Sequence, residues 1–310
     1  MPLEPAALSF DDQGVPWSPR YADIYHSADS GPGQAQHVFL GGNGLPARWQ
    51  GQPGFTILET GFGLGLNFLV TWQAWRDHPA RCARLHYVAI EKHPFAADAL
   101  GALHARHPAL AAVSRELREA WPLLVPGIHR LELDQGRVTL TLAFGDAEAL
   151  LPRLTVTPDA LFLDGFAPSK NPQMWTPGVF KALSRKAGPA TTLATYTTAA
   201  TVRHGLEREG FVCERRTGFG RKREMLVGRF APRWPVRAKL SPGTRFRPRQ
   251  AIVIGAGLAG AALCERLISR SWQVTLIDAA NVPATGASGL HAGSFRSEEH
   301  TSELQSHHDL

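Results

Sequence analysis

Cysteine is scarce in this chain: Cys82, Cys213 and Cys264 are the only ones in 310 residues, far apart and odd in number. That argues against a disulfide framework or a zinc site and fits thiols kept reduced in a cytoplasm. Histidines are scattered, and none stands at metal-ligand spacing with a cysteine or an acid, so no metal is expected. Long apolar runs are missing too. The longest, Ala251 to Cys264, is too short to span a bilayer and holds three glycines. The opening Met1-Pro-Leu-Glu-Pro5 has neither the basic region nor the apolar core of a secretory leader. A cytoplasmic protein with no membrane partner is therefore expected. Acids are in the minority, and the net charge is +6. The last fourteen residues, Ser297 to Leu310, carry four acids and no Lys or Arg; without them 33 cations face 23 acids, a balance of +10. Such an excess suggests a polyanionic partner, most simply nucleic acid. An arginine-rich composition from a GC-rich genome gives the same balance.

What is present begins with Phe55-Thr-Ile-Leu-Glu59-Thr-Gly61-Phe-Gly63-Leu-Gly65-Leu-Asn67-Phe68. An apolar run ends in an acid, three glycines follow at alternate positions, and an apolar helical segment begins. This pattern predicts a buried parallel strand, a tight turn and a helix start. Dinucleotide sites use G-x-G-x-x-G to seat a pyrophosphate on the helix N-terminus. The tighter G-x-G-x-G is typical of S-adenosylmethionine sites. From residue 55 to 230 strand and helix patterns alternate, which predicts an α/β fold: a mostly parallel, doubly wound Rossmann-like sheet with helices on both faces. Arg130 to Phe144 alternates about a turn as an antiparallel hairpin, and Phe211 to Phe230 closes the domain as another. Residues 1–50 read as a loop-rich N-terminal extension, with Tyr21 and Tyr25 at helical spacing in a small lid. The methyltransferase-like domain spans 51–231, and 232–249, rich in proline and basic residues, is a linker. A second nucleotide-binding unit covers 250–295, and 296–310 is a polar tail without periodicity.

Ligands sit at the carboxyl ends of strands in open parallel sheets. Glu59, Glu91, Asp146 and Asp164 all fall at such ends. Glu91, thirty residues after Gly61, is placed to accept hydrogen bonds from both ribose hydroxyls, and Asp146 to meet an adenine amine. Asp164, in Leu163-Asp164-Gly165-Phe166-Ala167-Pro168, stands where an amine-methylating enzyme needs an acceptor for the amine proton. Each acid taken singly could equally be a helix N-cap. The cofactor-binding set is then Glu59, Gly61, Gly63, Gly65, Asn67, Glu91 and Asp146. The hairpin Arg215-Arg216-Thr-Gly-Phe219-Gly-Arg221-Lys222-Arg223 interleaves five cations with an aromatic, which suits RNA phosphates and base stacking. A solvated basic hairpin would look the same. In the second unit Gly255-x-Gly257-x-x-Gly260 is followed eighteen residues later by Asp278, the order of a dinucleotide fingerprint. Ser288 lies in a small-residue loop similar to that of FAD-dependent amine oxidases.

Several segments together resemble one family, the bifunctional tRNA 5-methylaminomethyl-2-thiouridine biosynthesis proteins. They are Val38-Phe-Leu-Gly-Gly-Asn43, the glycine turn from Glu59 to Phe68, Phe162 to Pro172 with Met174-Trp175, and Gly218 to Met225. The resemblance implies an N-terminal domain that methylates the aminomethyl group of a wobble uridine in tRNA with S-adenosylmethionine. It also implies a C-terminal FAD enzyme that removes the carboxymethyl part of a carboxymethylaminomethyl uridine. Asp164 matches the family's active-site aspartate, and Gly255, Gly257, Gly260 and Asp278 match its FAD fingerprint. In that family the FAD domain continues much further. Here an incomplete FAD-binding βαβ unit is expected, without the oxidative activity, and the tail from Arg296 resembles a translated sequencing-adapter fragment; a natural disordered tail is the other reading. A monomer is expected. Two other functions fit the residues: a small-molecule amine N-methyltransferase with an incidental basic hairpin, and an inactive RNA-binding fragment.

Overall fold

The computed structural model describes residues 3–235, 249–270, 272–286 and 289. The chain divides into two compact units, Met1–Arg247 and Pro248–Leu310. The first is built on an eight-stranded sheet. Before it come a short antiparallel pair, β1 (Trp17–Ser18) and β2 (Asp23–Ile24), and a helical stretch, α1 (Gly31–Gln34), which continues as a wider helical turn over Ala35–Leu40. The sheet strands are β3 (Phe55–Glu59), β4 (Leu85–Glu91), β5 (Gly127–Leu133), β6 (Val138–Phe144), β7 (Ala160–Phe162), β8 (Thr192–Thr195), β9 (Phe211–Thr217) and β10 (Glu224–Phe230). Their order is β5-β6-β4-β3-β7-β8-β10-β9. The inner five run parallel, and the hairpins β5–β6 and β9–β10 add antiparallel edges.

The central strands are buried on both faces, so they read as near-continuous apolar runs instead of alternating ones. Side chains on a strand still point alternately to the two sides. Ile57, Tyr87 and Phe162 enter one core with Phe39, Trp49, Phe68 and Trp72, while Leu58, Val88, Ile90 and Leu161 enter the other with Phe180, Leu183 and Leu206. The first core lies under α2 (Leu66–Asp77), α3 (Ala97–His104) and α4 (Ala111–Glu119). The second lies under α5 (Ala147–Leu150), α6 (Pro177–Lys186) and α7 (Ala200–Arg208). Thr176 caps α6 by accepting from Val179 N at 3.2 Å, with Pro177 at the first helical position, where a missing N–H costs nothing.

The N-terminal extension differs from the loop-rich reading. Gly31-Pro-Gly starts a helix because Ser30 caps it and Pro32 stands in the first turn. Phe39, Leu40 and Trp49 are fully buried. Each such side chain contributes about 1.5–3 kcal/mol by leaving water, so this part of the extension is core. Residues 3–30 bury only Val15, Pro16 and Ser18. Tyr21 and Tyr25 flank β2, Tyr21 in the turn before it and Tyr25 in the bend after it, not on a helix, because the β1–β2 pairing takes the backbone. Helix α4, amphipathic but short, is a further element the sequence reading did not separate from its surroundings.

The second unit is described by β11 (Gln250–Ile254), α8 (Leu258–Ile268) and β12 (Gln273–Ile277), with β11 and β12 paired in parallel. Ser288, linker residues 236–248 and the tail from 290 lie outside the described residues. No helix among the described residues is long and apolar enough to cross a membrane, and no group of three metal-ligating side chains occurs among them.

Candidate active site

The carboxyl ends of β3, β4, β6 and β7 open on a cavity of about 300 Å³. Gly61, Gly63, Asn67, Glu91, Asp146 and Asp164 all line it. The turn after β3 comes so close to the strand end after β7 that a Cβ on Gly61 would stand 2.9 Å from the Asp164 carbonyl oxygen. Gly63 and Gly65 adopt left-handed conformations, with φ of 53° and 78°, which bring the chain round to start α2. Glu91 spans the turn: Oε2 accepts from Gly63 N and Oε1 from His93 N, both at 2.7 Å. On the far side His104 bridges Leu64 O at 2.6 Å and Ser114 Oγ at 2.9 Å. A carbonyl only accepts, so Nε2 carries the proton and Nδ1 receives one from Ser114; burial keeps the ring neutral by lowering its pKa.

Asp164 is held at both of its carboxylate oxygens. Its Oδ1 accepts from Gly165 N at 2.8 Å and its Oδ2 from Asn67 Nδ2 at 2.7 Å. Thr60 Oγ1 donates to its carbonyl at 3.0 Å. Desolvation raises the carboxyl pKa to about 6, against the lowering effect of the two hydrogen bonds and of Lys222. It is therefore mostly ionised at neutral pH yet able to take a proton.

Two of the expected cofactor residues do not line the cavity. Glu59 is fully buried behind it, where Oε1 accepts from Asn67 Nδ2 at 2.7 Å. Burial, and then the Asp164 charge, push its pKa well above the carboxylate range. Its Oε2 neighbours the equally enclosed Tyr87 hydroxyl, although neither closes a hydrogen bond of good geometry. Gly65 shapes the turn from outside the lining. Asp146 lines the cavity and also caps α5, accepting from Glu148 N at 3.0 Å, while Lys92 pairs with its Oδ2 at 3.1 Å.

Residues 3–34 supply the other wall, including Tyr21, Tyr25 and His26. Tyr21 stacks on Phe166 with centroids 4.6 Å apart, and Tyr25 meets Phe166 edge-on at 5.1 Å. Burial and then Glu91 raise the pKa of both tyrosines, so both stay protonated. Phe166 was not singled out from the sequence. Its position two residues after Asp164 was the available signal, but a loop aromatic has no periodicity to mark it.

The basic hairpin splits. Arg215 pairs with Glu224 and Arg216 with Glu214, both on the exposed strand surface. Arg221 and Arg223 are exposed at the turn and close no ion pair among the described residues. Phe219 is half-buried against Gly33 and His37, a packing position instead of an open stacking platform. Lys222 turns inward: its Nζ lies 3.7 Å from the centre of the Tyr196 ring.

In the second unit the turn from Gly255 to Gly260 packs against its own start. A Cβ on Gly260 would strike the Gly255 carbonyl oxygen, so the helix can approach the strand only with glycine there. Asp278, at the end of β12, accepts from Ala256 N at 2.6 Å and from Ala280 N at 2.8 Å. Gly255, Gly257, Gly260 and Asp278 thus form the strand–turn–helix–strand–acid arrangement that fits the nucleotide end of FAD.

Comparison with known proteins accords with both units. A family model for S-adenosyl-L-methionine-dependent methyltransferases matches residues 108–231. One for FAD dependent oxidoreductases matches 250–307, running past Arg296 into the polar tail. The chain is 56% identical over 282 residues to the tRNA 5-methylaminomethyl-2-thiouridine biosynthesis bifunctional protein MnmC of Ralstonia nicotianae, covering 91% of this chain and 43% of that protein. It is 54% identical over 296 residues to the protein of the same name from Azoarcus sp., covering 96% and 46%. The crystal structure of MNMC2 from Aquifex aeolicus shares the fold, with a TM-score of 0.59 at 22% identity over 78% of this chain and 75% of that one. The chain spans less than half the length of these curated relatives. With more than half of its residues identical across nine-tenths of its own length, the chain belongs to the family of bifunctional tRNA 5-methylaminomethyl-2-thiouridine biosynthesis proteins, MnmC.

Proposed function

We propose that the first unit methylates the primary amine of a 5-aminomethyl-(2-thio)uridine at the wobble position of tRNA, giving 5-methylaminomethyl-(2-thio)uridine. The observation that carries this reading is the placement of Asp164, which shares one cavity with the Gly61–Gly63 turn and Glu91. Bound S-adenosylmethionine supplies a methyl group on a sulfonium centre. The backbone at Gly61 and Gly63 and the Glu91 carboxylate would hold that molecule, with Asp146 beside it. Tyr21, Tyr25 and Phe166 keep water from the cavity.

The acceptor amine is an ammonium ion in solution, and only its neutral form has a lone pair to offer. Asp164, ionised above about pH 6, orients the amine and takes the proton released when nitrogen gains the methyl group, directly or through water. Arg215, Arg216, Arg221 and Arg223 lie on one exposed hairpin and suit tRNA phosphates. The substrate goes with a cytoplasmic location. For the second unit we propose binding of the nucleotide part of FAD at Gly255, Gly257, Gly260 and Asp278.

The test is transfer of labelled methyl from S-adenosylmethionine to tRNA bearing aminomethyl uridine, with unmodified tRNA as control. Transfer to the modified tRNA alone is expected, and Asp164→Asn should lower it at least about 100-fold while cofactor binding persists. Equal transfer by the variant, or methylation of free amines without tRNA, would overturn the reading.

A further inference from the structure

Lys222 stands apart from the cations around it. The residue as a whole is exposed, but its ammonium group lies on the face of Tyr196, where it is partly desolvated. Tyr196 in turn donates to Gly165 O at 2.7 Å, one residue from Asp164. The ammonium faces two carboxylates, Asp23 and Asp164, and closes an ion pair with neither among the described residues. Asp23 accepts from Ala167 N at 2.9 Å, so it too is fixed to the loop that carries Asp164.

The hairpin turn that delivers Lys222 is docked, not loose. Lys222 N donates to Phe219 O at 3.1 Å and Gly218 N to Arg223 O at 3.0 Å. Arg221 N donates to Asp29 Oδ2 at 3.2 Å, and the Phe219 ring fills the space over Gly33 so closely that a Cβ there would be 2.6 Å away. His37 Nε2 reaches Thr217 O at 2.9 Å. These contacts hold the turn to residues 29–37, and Lys222 is the side chain they turn toward Asp164.

We propose that Lys222 is a positioning residue of the methyl-transfer site, not a phosphate contact: held on Tyr196, its charge keeps Asp164 ionised and keeps a second positive charge off the acceptor amine. The inference rests on the reading of the first unit given above. A cation beside Asp164 favours its carboxylate, and the same cation disfavours an ammonium ion placed between them. Other groups act on Asp164 as well. Glu91 opposes its ionisation, Asn67 and Gly165 N favour it, and Glu59, Tyr196 and Tyr87 are held neutral beside it. Lys222 is the one cation among the groups named, so its removal should be felt.

The experiment uses the full chain and two readouts. The first follows the Asp164 carboxyl by 13C resonance against pH, which needs no turnover. The second measures methyl transfer to aminomethyl-uridine tRNA against pH, together with tRNA affinity against salt. Lys222→Met should raise the Asp164 midpoint by roughly half to one pH unit. The acid limb of the rate profile should move with it, costing about two- to sixfold in rate near pH 6. Lys222→Arg should restore the midpoint, and Lys222→Gln replaces the Met variant if that one folds poorly. The salt slope of tRNA binding should stay as in the wild type. Arg223→Met is the contrast: it should flatten that slope by about 0.7–0.9 and leave the midpoint alone. An unmoved midpoint in Lys222→Met, or a flattened slope there, overturns the proposal. A moved midpoint in a wild type and variant that transfer no methyl to tRNA leaves the role of Lys222 standing and refutes the assigned reaction instead.

Discussion

Asn67 holds Asp164 and Glu59 with a single amide nitrogen, donating to each at 2.7 Å. The nitrogen carries two N–H groups, so both bonds are made in full. The two carboxyls they join have opposite tasks. Glu59 has no exposure and is driven to its neutral form, while Asp164 meets the cavity and ionises near neutrality. Environments that push two nearby acids apart in this way assign the charge to one of them. Glu59 thus serves as a neutral buttress, and the negative charge stays at the cavity wall.

Asn67→Ala should break both bonds and leave two acceptors short. We expect a loss of about 1–3 kcal/mol in stability, read from chemical denaturation at pH 8. Asn67 favours the charged form of Asp164, so its removal should also shift the acid limb of methyl transfer to higher pH. The sign of the stability effect follows. Asp164 has a folded pKa raised to about 6, so the wild type itself is most stable below the ordinary carboxylate value and loses that contribution as pH rises through about 6. The charge-linked part of the variant's deficit should therefore shrink as pH falls through the same range. A deficit independent of pH would mean that Asn67 only fills space.

Asp134 offers the opposite sign. It sits at φ 52° in the β5–β6 turn, accepts from Trp72 Nε1 at 2.9 Å and pairs with Arg76 and Arg137, both at 2.8 Å. Its desolvation is outweighed by the Trp72 and Arg76 hydrogen bonds and the two guanidinium charges, which hold its pKa below the usual value. Asparagine tolerates the left-handed backbone and still accepts from Trp72, so Asp134→Asn isolates the charge. It should cost about 1–3 kcal/mol at pH 7, because α2 is pinned to the hairpin through that charge. A depressed pKa gives stability that is present above the unfolded value and lost as pH falls through the folded one. The gap between variant and wild type should thus close below about pH 4. A gap that persists in acid would assign the effect to shape.

Much of this site was legible because it lies where the sheet puts it. The run from Phe55 to Glu59, its glycine turn and the acids Glu91, Asp146 and Asp164 follow from strand ends in a parallel sheet, and period and glycine spacing mark those. What could not be read was which side chains meet across the chain. Glu59 looked like a ligand because it ends a strand, but its side chain points behind the cavity floor, and a strand pattern gives alternation without saying which face holds the ligand. Phe219 and Lys222 share one basic stretch with Arg221 and Arg223. Only the docking of that turn on residues 29–37 separates a packed ring and an inward cation from outward ones. The helical turn at Gly31–Leu40 was hidden by its glycines and proline, which signal loops unless the Ser30 cap is recognised.

Gly61 tests whether the close approach of two strand ends makes the cavity. A methyl group there would meet Asp164 O at 2.9 Å, Asp164 C at 3.2 Å and Gly165 Cα at 3.3 Å, all backbone atoms with no rotamer to yield. Thr60 ties the same carbonyl from the neighbouring position, so the two loops must move together or part. Gly61→Ala should therefore cost about 1–3 kcal/mol in stability through overpacking. It should also displace both the turn that would cradle S-adenosylmethionine and the Asp164 side chain. Calorimetry should record at least about a tenfold weaker cofactor affinity, since 1.4 kcal/mol of misfit is enough for that. Gly188 is the control, because a Cβ there meets only Thr157 at 3.6 Å, an ordinary contact. Gly188→Ala should stay within about 0.5 kcal/mol of the wild type and bind the cofactor unchanged. If Gly61→Ala binds S-adenosylmethionine as tightly as Gly188→Ala does, the molecule does not sit against this turn, and the cavity between Gly61 and Asp164 belongs to another ligand.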